Sequence, residues 1–374
     1  MMRWTRIEDP LFLIKGGLVY YTMLGIVLFL SGGLLFIANW ADAAKSDRIS
    51  FASNRGGNFD IYVRDINGEH ARNLTNHPTD EFGPWAGIGL PVHTWSPDGR
   101  FLAYVSGRDG VFKIYVMDTR TREHRRLTHR REKELAPAWS PDGKWITFVS
   151  HDNEGDSEIY KMEVKSAHLV QLTDFGGNEH PAWSPDGKQI AFVSLSHNRG
   201  GKRDGLYIMN ADGERLRRVP NANRGLIGKG CAWSPDGKQI TFSVYIPNTR
   251  REHLCVIDVD GRNFRQLTRG GPIPILGNKE PAFPLLPRPP LPEIGSPAWS
   301  SDGKWIAYVY SETILWQTAD IYIIDAAGNG RGQPLVTGAR QNLSPAWVPE
   351  GFLSVSPSIE KQTTVWGRLK EKTD

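Results

Sequence analysis

The fourteen residues PAWSPDGKWITFVS at 137–150 return at 181–194 as PAWSPDGKQIAFVS. A unit copied this closely cannot cover its own apolar faces alone and needs its copies as neighbours, so the fold has to be an array. Aligned on the tryptophan, the copies fall at Trp95, Trp139, Trp183, Trp233, Trp299 and Trp347, at spacings of 44, 44, 50, 66 and 48 residues. A period in the forties with several short β patterns per copy is the sequence form of propeller blades.

Each copy keeps one order: a Pro-Ala-Trp strand, a Ser-Pro-Asp-Gly turn, an Ile-x-Phe-Val-Ser strand, an Ile-Tyr-Val-Met-Asp strand and a short strand ending Leu-Thr. Proline presets φ in the turn, aspartate tolerates its second position and glycine takes the strained one, so the first two strands form a hairpin. The two middle strands are apolar on both faces and need cover on both, which neighbouring blades supply. An all-β, six-bladed propeller of four-stranded blades is therefore expected. Residues 49–75 hold three strands without the first, and Ala346-Trp347 supplies a first strand without the rest, so the two ends share one blade. A seventh, irregular blade built from Phe352–Ser356 and 363–369 is the alternative. Ser301 replaces the turn proline, and that turn is expected to form less rigidly.

Outside the repeat, residues 16–40 carry no formal charge, and as a helix they would exceed a ~30 Å hydrocarbon layer. We read 1–15 as an N-terminal tail, 16–40 as a transmembrane anchor or uncleaved signal, 48–356 as the propeller and 357–374 as a C-terminal tail. A cleaved signal is the alternative, with Ala41-Asp42-Ala43 as its cleavage site, but its apolar region would be unusually long. Basic residues flank the span almost evenly, and the free amino terminus tips the orientation toward N-inside with the propeller exported. The 45 basic and 41 acidic side chains are spread along the chain, which argues against nucleic acid as a partner. Cys231 and Cys255 stand beside apolar strand residues as buried thiols, without a zinc-holding C-x-x-C.

The motifs WSPDGK at 139–144, 183–188 and 233–238, IYVMD at 114–118 and QLT at 266–268 resemble the WD-repeat-like propeller repeat of the TolB type, over residues 48–356. The resemblance implies an extracytoplasmic propeller whose face binds a protein of the cell envelope. It covers the propeller only, with a membrane span in place of the smaller α/β domain of that family. Related peptidase propellers carry a G-x-S-x-G hydrolase domain, and this sequence has no such motif.

Binding in a propeller concentrates on loops entering the innermost strands. Just before those strands stand Glu134, Glu179, Lys229, Glu293 and Asn342, a polar ring at one channel mouth. A wet channel mouth is polar without binding anything, so ligand recognition there is one of two readings. PLLPRPPLPEIG at 284–295 favours extended polyproline conformation and serves either as a stiff excursion or as a channel cover. The basic run RTREHRRLTHRREK at 120–133 is either a charged edge strand or a site for an anionic partner or lipid headgroup. Ten histidines are scattered singly, with no metal-ligand spacing and no cofactor motif.

The expected function is a membrane-tethered, monomeric, non-catalytic propeller that binds a protein or cell-envelope ligand. The alternative is a carbohydrate-active lyase or hydrolase working in the channel. It requires two or three histidines, such as His93, His129 and His180, to converge on one face with an acidic residue.

Overall fold

The computed structural model describes residues 48–68, 70–77, 92–152, 156–195, 204–222, 226–246, 251–268, 294–311, 318–338 and 341–352. The span at 16–40, Glu293, most of the proline-rich stretch and the C-terminal tail lie outside the described residues, as does nearly all of the surplus strand after Phe352. Among the described residues no helix is long and apolar enough to cross a membrane.

The strands follow the repeat. The first three are β1 (Arg48–Ser53), β2 (Asp60–Asp65) and β3 (Arg72–Asn73). Full blades follow: β4 (His93–Trp95) to β7 (His124–Arg126) through β5 (Phe101–Ser106) and β6 (Lys113–Asp118); then β8 (Lys133–Trp139), β9 (Trp145–His151), β10 (Ser157–Glu163) and β11 (Leu169–Gln171). The fourth blade is β12 (Asn178–Trp183), β13 (Gln189–Ser194), β14 (Gly205–Asn210) and β15 (Arg217–Arg218). The fifth is β16 (Leu226–Trp233), β17 (Gln239–Ile246), β18 (Arg251–Asp258) and β19 (Arg265–Gln266), and the sixth is β20 (Ile294–Trp299), β21 (Trp305–Tyr310), β22 (Asp320–Asp325) and β23 (Gln333–Val336). The last strand, β24 (Asn342–Trp347), returns to pair antiparallel with β1, Ile49 opposite Trp347 and Ser53 opposite Asn342. The sheet β24-β1-β2-β3 is the shared blade. Inner strands touch in a cycle, β24 to β4, β8, β12, β16, β20 and back to β24, so six blades close one ring.

Double-sided burial explains the middle strands. Ile146, Phe148, Val149 and Ile159 have no exposure, and neither do Ile190, Phe192, Ile240 and Phe242 in later blades. Cys231 and Cys255 are free and buried, and burial pushes each thiol up to about 12, which keeps them protonated.

The hairpin turn is set by serine and aspartate more than by proline. Ser140 Oγ donates to Asp142 Oδ1 (2.6 Å), Lys144 N donates to the same oxygen (3.0 Å) and Trp145 N donates to Ser140 Oγ (2.9 Å). At the proline-free turn Ser300, Asp302, Lys304 and Trp305 make the same bonds at 2.6, 3.0 and 2.9 Å. Gly143 holds φ +71°, where a side chain would be strained. A Cβ added at Gly187 would meet the ring of Pro141, and one at Gly303 the ring of Pro235, so each turn lies against the proline of the blade before it.

Three of the six repeat tryptophans hydrogen-bond across a seam. Trp233 Nε1 donates to the Ala182 carbonyl and Trp347 Nε1 to the Ala298 carbonyl, each at 3.0 Å on the inner strand of the preceding blade. Trp95 instead donates to Ser50 Oγ (2.8 Å), which also meets His93 Nε2 (2.8 Å) and donates to Ala346 O.

Candidate functional site

The inner strands share a backbone break that repeats around the ring. Register slips by one residue between Leu135 and Ala138, Glu179 and Ala182, and Gly295 and Ala298, and by two between Ile227 and Cys231. At the slip Ala136, His180, Gly230, Ser296 and Ser344 all take positive φ, from +46° to +93°. In four copies the next residue is a proline, which has no N–H to give a ladder and is tolerated where an edge strand bulges. Strain of this kind persists only where the surroundings fix it.

What fixes it at four seams is a clamp at the start of the inner strand, just before the bulge. The first residues of the preceding blade's third strand reach across the seam to that point. Between the second and third blades, Lys113 Nζ lies 3.4 Å from Glu134 Oε2, with side chains 2% and 0% exposed, and Lys113 also donates to the Arg130 (2.6 Å) and Glu132 carbonyls. Burial pushes the Glu134 carboxyl up, opposed by Thr128 and Lys113. Between the third and fourth blades, Glu158 accepts from Thr173 Oγ1 (2.5 Å), Gly176 N (2.5 Å) and Asn178 Nδ2 (3.0 Å). Between the fifth and sixth, Glu252 accepts from Ile294 N (2.9 Å). At the closing seam Asn342 Nδ2 donates to Asp320 (3.4 Å), while its Oδ1 accepts from Ser53 Oγ (3.0 Å) and Arg55 Nη2 (2.9 Å).

The five expected ring residues therefore divide. Glu134 and Asn342 occupy one register position, five residues before the tryptophan, and are clamps buried at 0% and 1% exposure. Glu179 and Lys229 stand one residue later, which in a strand means the opposite face. Glu179 is partly exposed and lies 3.6 Å from the buried His180 imidazole. Lys229 is placed by its backbone opposite Gly295 in a parallel bridge between the fifth and sixth blades. Glu293 is not among the described residues. Sequence reasoning passed over Lys113, Glu158, Asp320 and Asn178; the signal for the first three was the varying first letter of the Ile-Tyr strand, Asp, Lys, Glu, Gly, His and Asp at 60, 113, 158, 205, 253 and 320.

Much of the basic run is engaged internally. Arg122 Nη1 donates to Leu74 O (2.7 Å), Arg126 pairs with Asp109 (2.9 Å) and Arg130 pairs with Glu132 while lying over the Tyr160 ring (4.4 Å). His93 and His180 sit on inner strands two blades apart. Among the described residues no three His, Cys, Asp or Glu side chains are grouped as metal ligands.

Residues 89–271 match the family model of the TolB beta propeller domain. The TolB crystal structure from Acinetobacter baumannii is similar at TM-score 0.63 and 22% identity, over 85% of this chain and 72% of that one. An oligogalacturonate lyase in complex with manganese is similar at TM-score 0.51 and 17% identity, over 79% of this chain and 75% of that one. An uncharacterized protein of Agrobacterium fabrum is 33% identical over 82 residues, 22% of this chain and 28% of its own length. At these identities the solved structures speak to fold.

Proposed function

The chain carries a β-propeller of the TolB type, and from that premise we propose that it is a non-catalytic binding module, tethered to a membrane through residues 16–40 and displayed outside the cytoplasm, whose inner-strand rim captures a protein or other cell-envelope ligand. The observation that carries this reading is the clamped rim. Four described seams spend their polar groups on holding one blade to the next, which gives a rigid frame for the loops that enter the inner strands. A frame of this kind favours recognition, because ordering it costs a partner little. The same commitments count against acid–base chemistry, since the Glu134 carboxyl and the Asn342 amide already have partners inside the protein. Glu179, partly exposed on that rim, is the residue a ligand would meet.

A photo-crosslinking side chain placed at 179 in the full-length chain tests this in membranes. We expect one discrete adduct from 179 and none from Lys188, on the turn face. Equal labelling from both positions would sink the rim as the recognition surface. Incubating the purified chain with oligogalacturonate and manganese tests the lyase alternative; appearance of the unsaturated product's ultraviolet absorbance would replace the binding reading with an enzymatic one.

A further inference from the structure

An arginine stands at one register position in the outer strands of four blades, and in one of them it is used differently. Arg125, Arg217 and Arg265 pair opposite Val116, Ile208 and Val256, as Arg72 pairs opposite Val63. The first three reach forward across a seam to a backbone carbonyl of the next blade, that of Val164 (3.5 Å), Val259 (3.1 Å) or Ala326 (3.4 Å). Arg72 is turned onto the Phe352 ring, 5.7 Å from its centroid, and Arg48 lies 5.8 Å from the same centroid. Arg122 joins them from the second blade, donating to the Leu74 carbonyl just after β3 (2.7 Å). Three guanidiniums thus converge beside the closing blade.

We propose that Arg48, Arg72 and Arg122 bind the phosphate group of an anionic phospholipid at this corner. The convergence is one of like charge. Burial lowers the Arg72 pKa and the Arg48 guanidinium lowers it further, while burial and the Arg72 guanidinium do the same to Arg122. The carboxylates of the corner are already engaged: Asp65 pairs with Arg48 (2.8 Å), Asp118 pairs with Arg100 (2.9 Å), and Asp98 accepts from Ser96 Oγ (2.6 Å) and Arg100 N (3.1 Å). Arg122, whose bond is to a neutral carbonyl, has no carboxylate partner among the described residues. An anion relieves this repulsion, and planar guanidinium forks match the several acceptor oxygens of a phosphate. The Phe352 ring beneath Arg48 and Arg72 supports them through cation–π contact. Residues 41–47 separate Arg48 from the proposed span at 16–40, a reach of at most about 29 Å, which puts phospholipid headgroups within range of this corner. The lipid as source of the phosphate thus rests on the membrane tether proposed above, and the arginine site itself does not.

The test is native mass spectrometry of the full-length chain in detergent, titrated with phosphatidylglycerol, phosphatidylcholine or inorganic phosphate. We expect one saturable phosphatidylglycerol site per chain, weakened about tenfold or more in Arg72→Gln with Arg122→Gln, the factor that losing one charge-assisted hydrogen bond corresponds to. Lys188→Gln with Lys238→Gln, on other hairpin turns, should leave it unchanged. Asp65→Asn releases Arg48 from its ion pair and should tighten the lipid, a gain that keeps the test decisive if the double arginine variant folds poorly. Equal binding of zwitterionic phosphatidylcholine, or phosphatidylglycerol binding untouched by both the arginine and the Asp65 changes, overturns the proposal. Binding of inorganic phosphate without the lipid overturns the phospholipid as ligand. Extraction of membranes with alkaline carbonate reads the tether separately: release of the chain would defeat the span at 16–40, whereas a chain that stays in the membrane and shows no lipid site would defeat this inference.

Discussion

The blade β8–β11 and the closing blade β24-β1-β2-β3 have the same sheet order and are held by different chemistry. In the first, every strand is followed at once by its partner, and the seam behind it is fastened by a buried ion pair, Lys113 with Glu134. In the closing blade, β24 finds β1 across almost the whole chain, with no turn to set the register. There the seam toward β4 is a neutral network: His93 and Trp95 both bond Ser50 Oγ, and Val92 N donates to Ser344 Oγ (2.8 Å). Phe352 packs edge-on against Trp95 at 4.9 Å. Strand pairing is set by turn geometry in one blade and by directional side-chain bonds in the other.

The largest test of this contrast is the tryptophan pair. Trp95→Ala and Trp139→Ala should each cost about 3–5 kcal/mol in chemical denaturation, but only Trp95→Ala should raise amide exchange in β24. Equal protection of β24 in both would erase the distinction. Next, Glu134→Leu leaves the buried Lys113 ammonium without its carboxylate and should cost about 3 kcal/mol or more. The double change Lys113→Glu with Glu134→Asn installs the pair that Glu158 and Asn178 use, and most of the stability should return; failure to recover would mean that the seams are not interchangeable.

A smaller effect comes from His93. Burial lowers its pKa from 6.5 to about 3, so the unfolded chain takes up the proton first. Its contribution is complete above about pH 6.5 and drains away as pH falls toward 3, by at most about 1.4 kcal/mol per pH unit. His93→Gln should flatten the acid limb of a stability–pH curve, and an unchanged limb would remove His93 from the account. The smallest effect is Ser301→Pro, at a turn whose bonds already match its proline-bearing copies; we expect a gain of about 0.4–1 kcal/mol in the denaturation midpoint analysis.

The ring was legible because its signals are periodic. Tryptophan spacing, the Ser-x-Asp-Gly turn and the missing first strand at Ile49 gave six blades and a shared one, as found. The rim was legible only in part. Glu134, Glu179 and Asn342 look alike as polar residues ahead of Pro-Ala-Trp, yet one residue of offset separates a buried clamp from a partly exposed side chain. The left-handed bulge escaped because Ala136, His180, Ser296 and Ser344 carry no glycine signal. Their following prolines did mark it, since a proline inside a strand needs an interrupted ladder. The clamps escaped for another reason: their partners, Lys113 with Glu134 or Asp320 with Asn342, are about twenty residues apart and meet only across a seam.

The described chain enters at Arg48 and leaves at Phe352, and these ends adjoin: Val348 N donates to the Arg48 carbonyl at 2.9 Å and Arg48 Nη1 reaches the Phe352 carbonyl at 3.4 Å. Because β1 and β24 run antiparallel from that shared corner, traction drawing the two ends apart would load their ladder one rung at a time, like a zipper, and not all rungs together. The corner where the circle is fastened is thus also the place where it is mechanically easiest to undo.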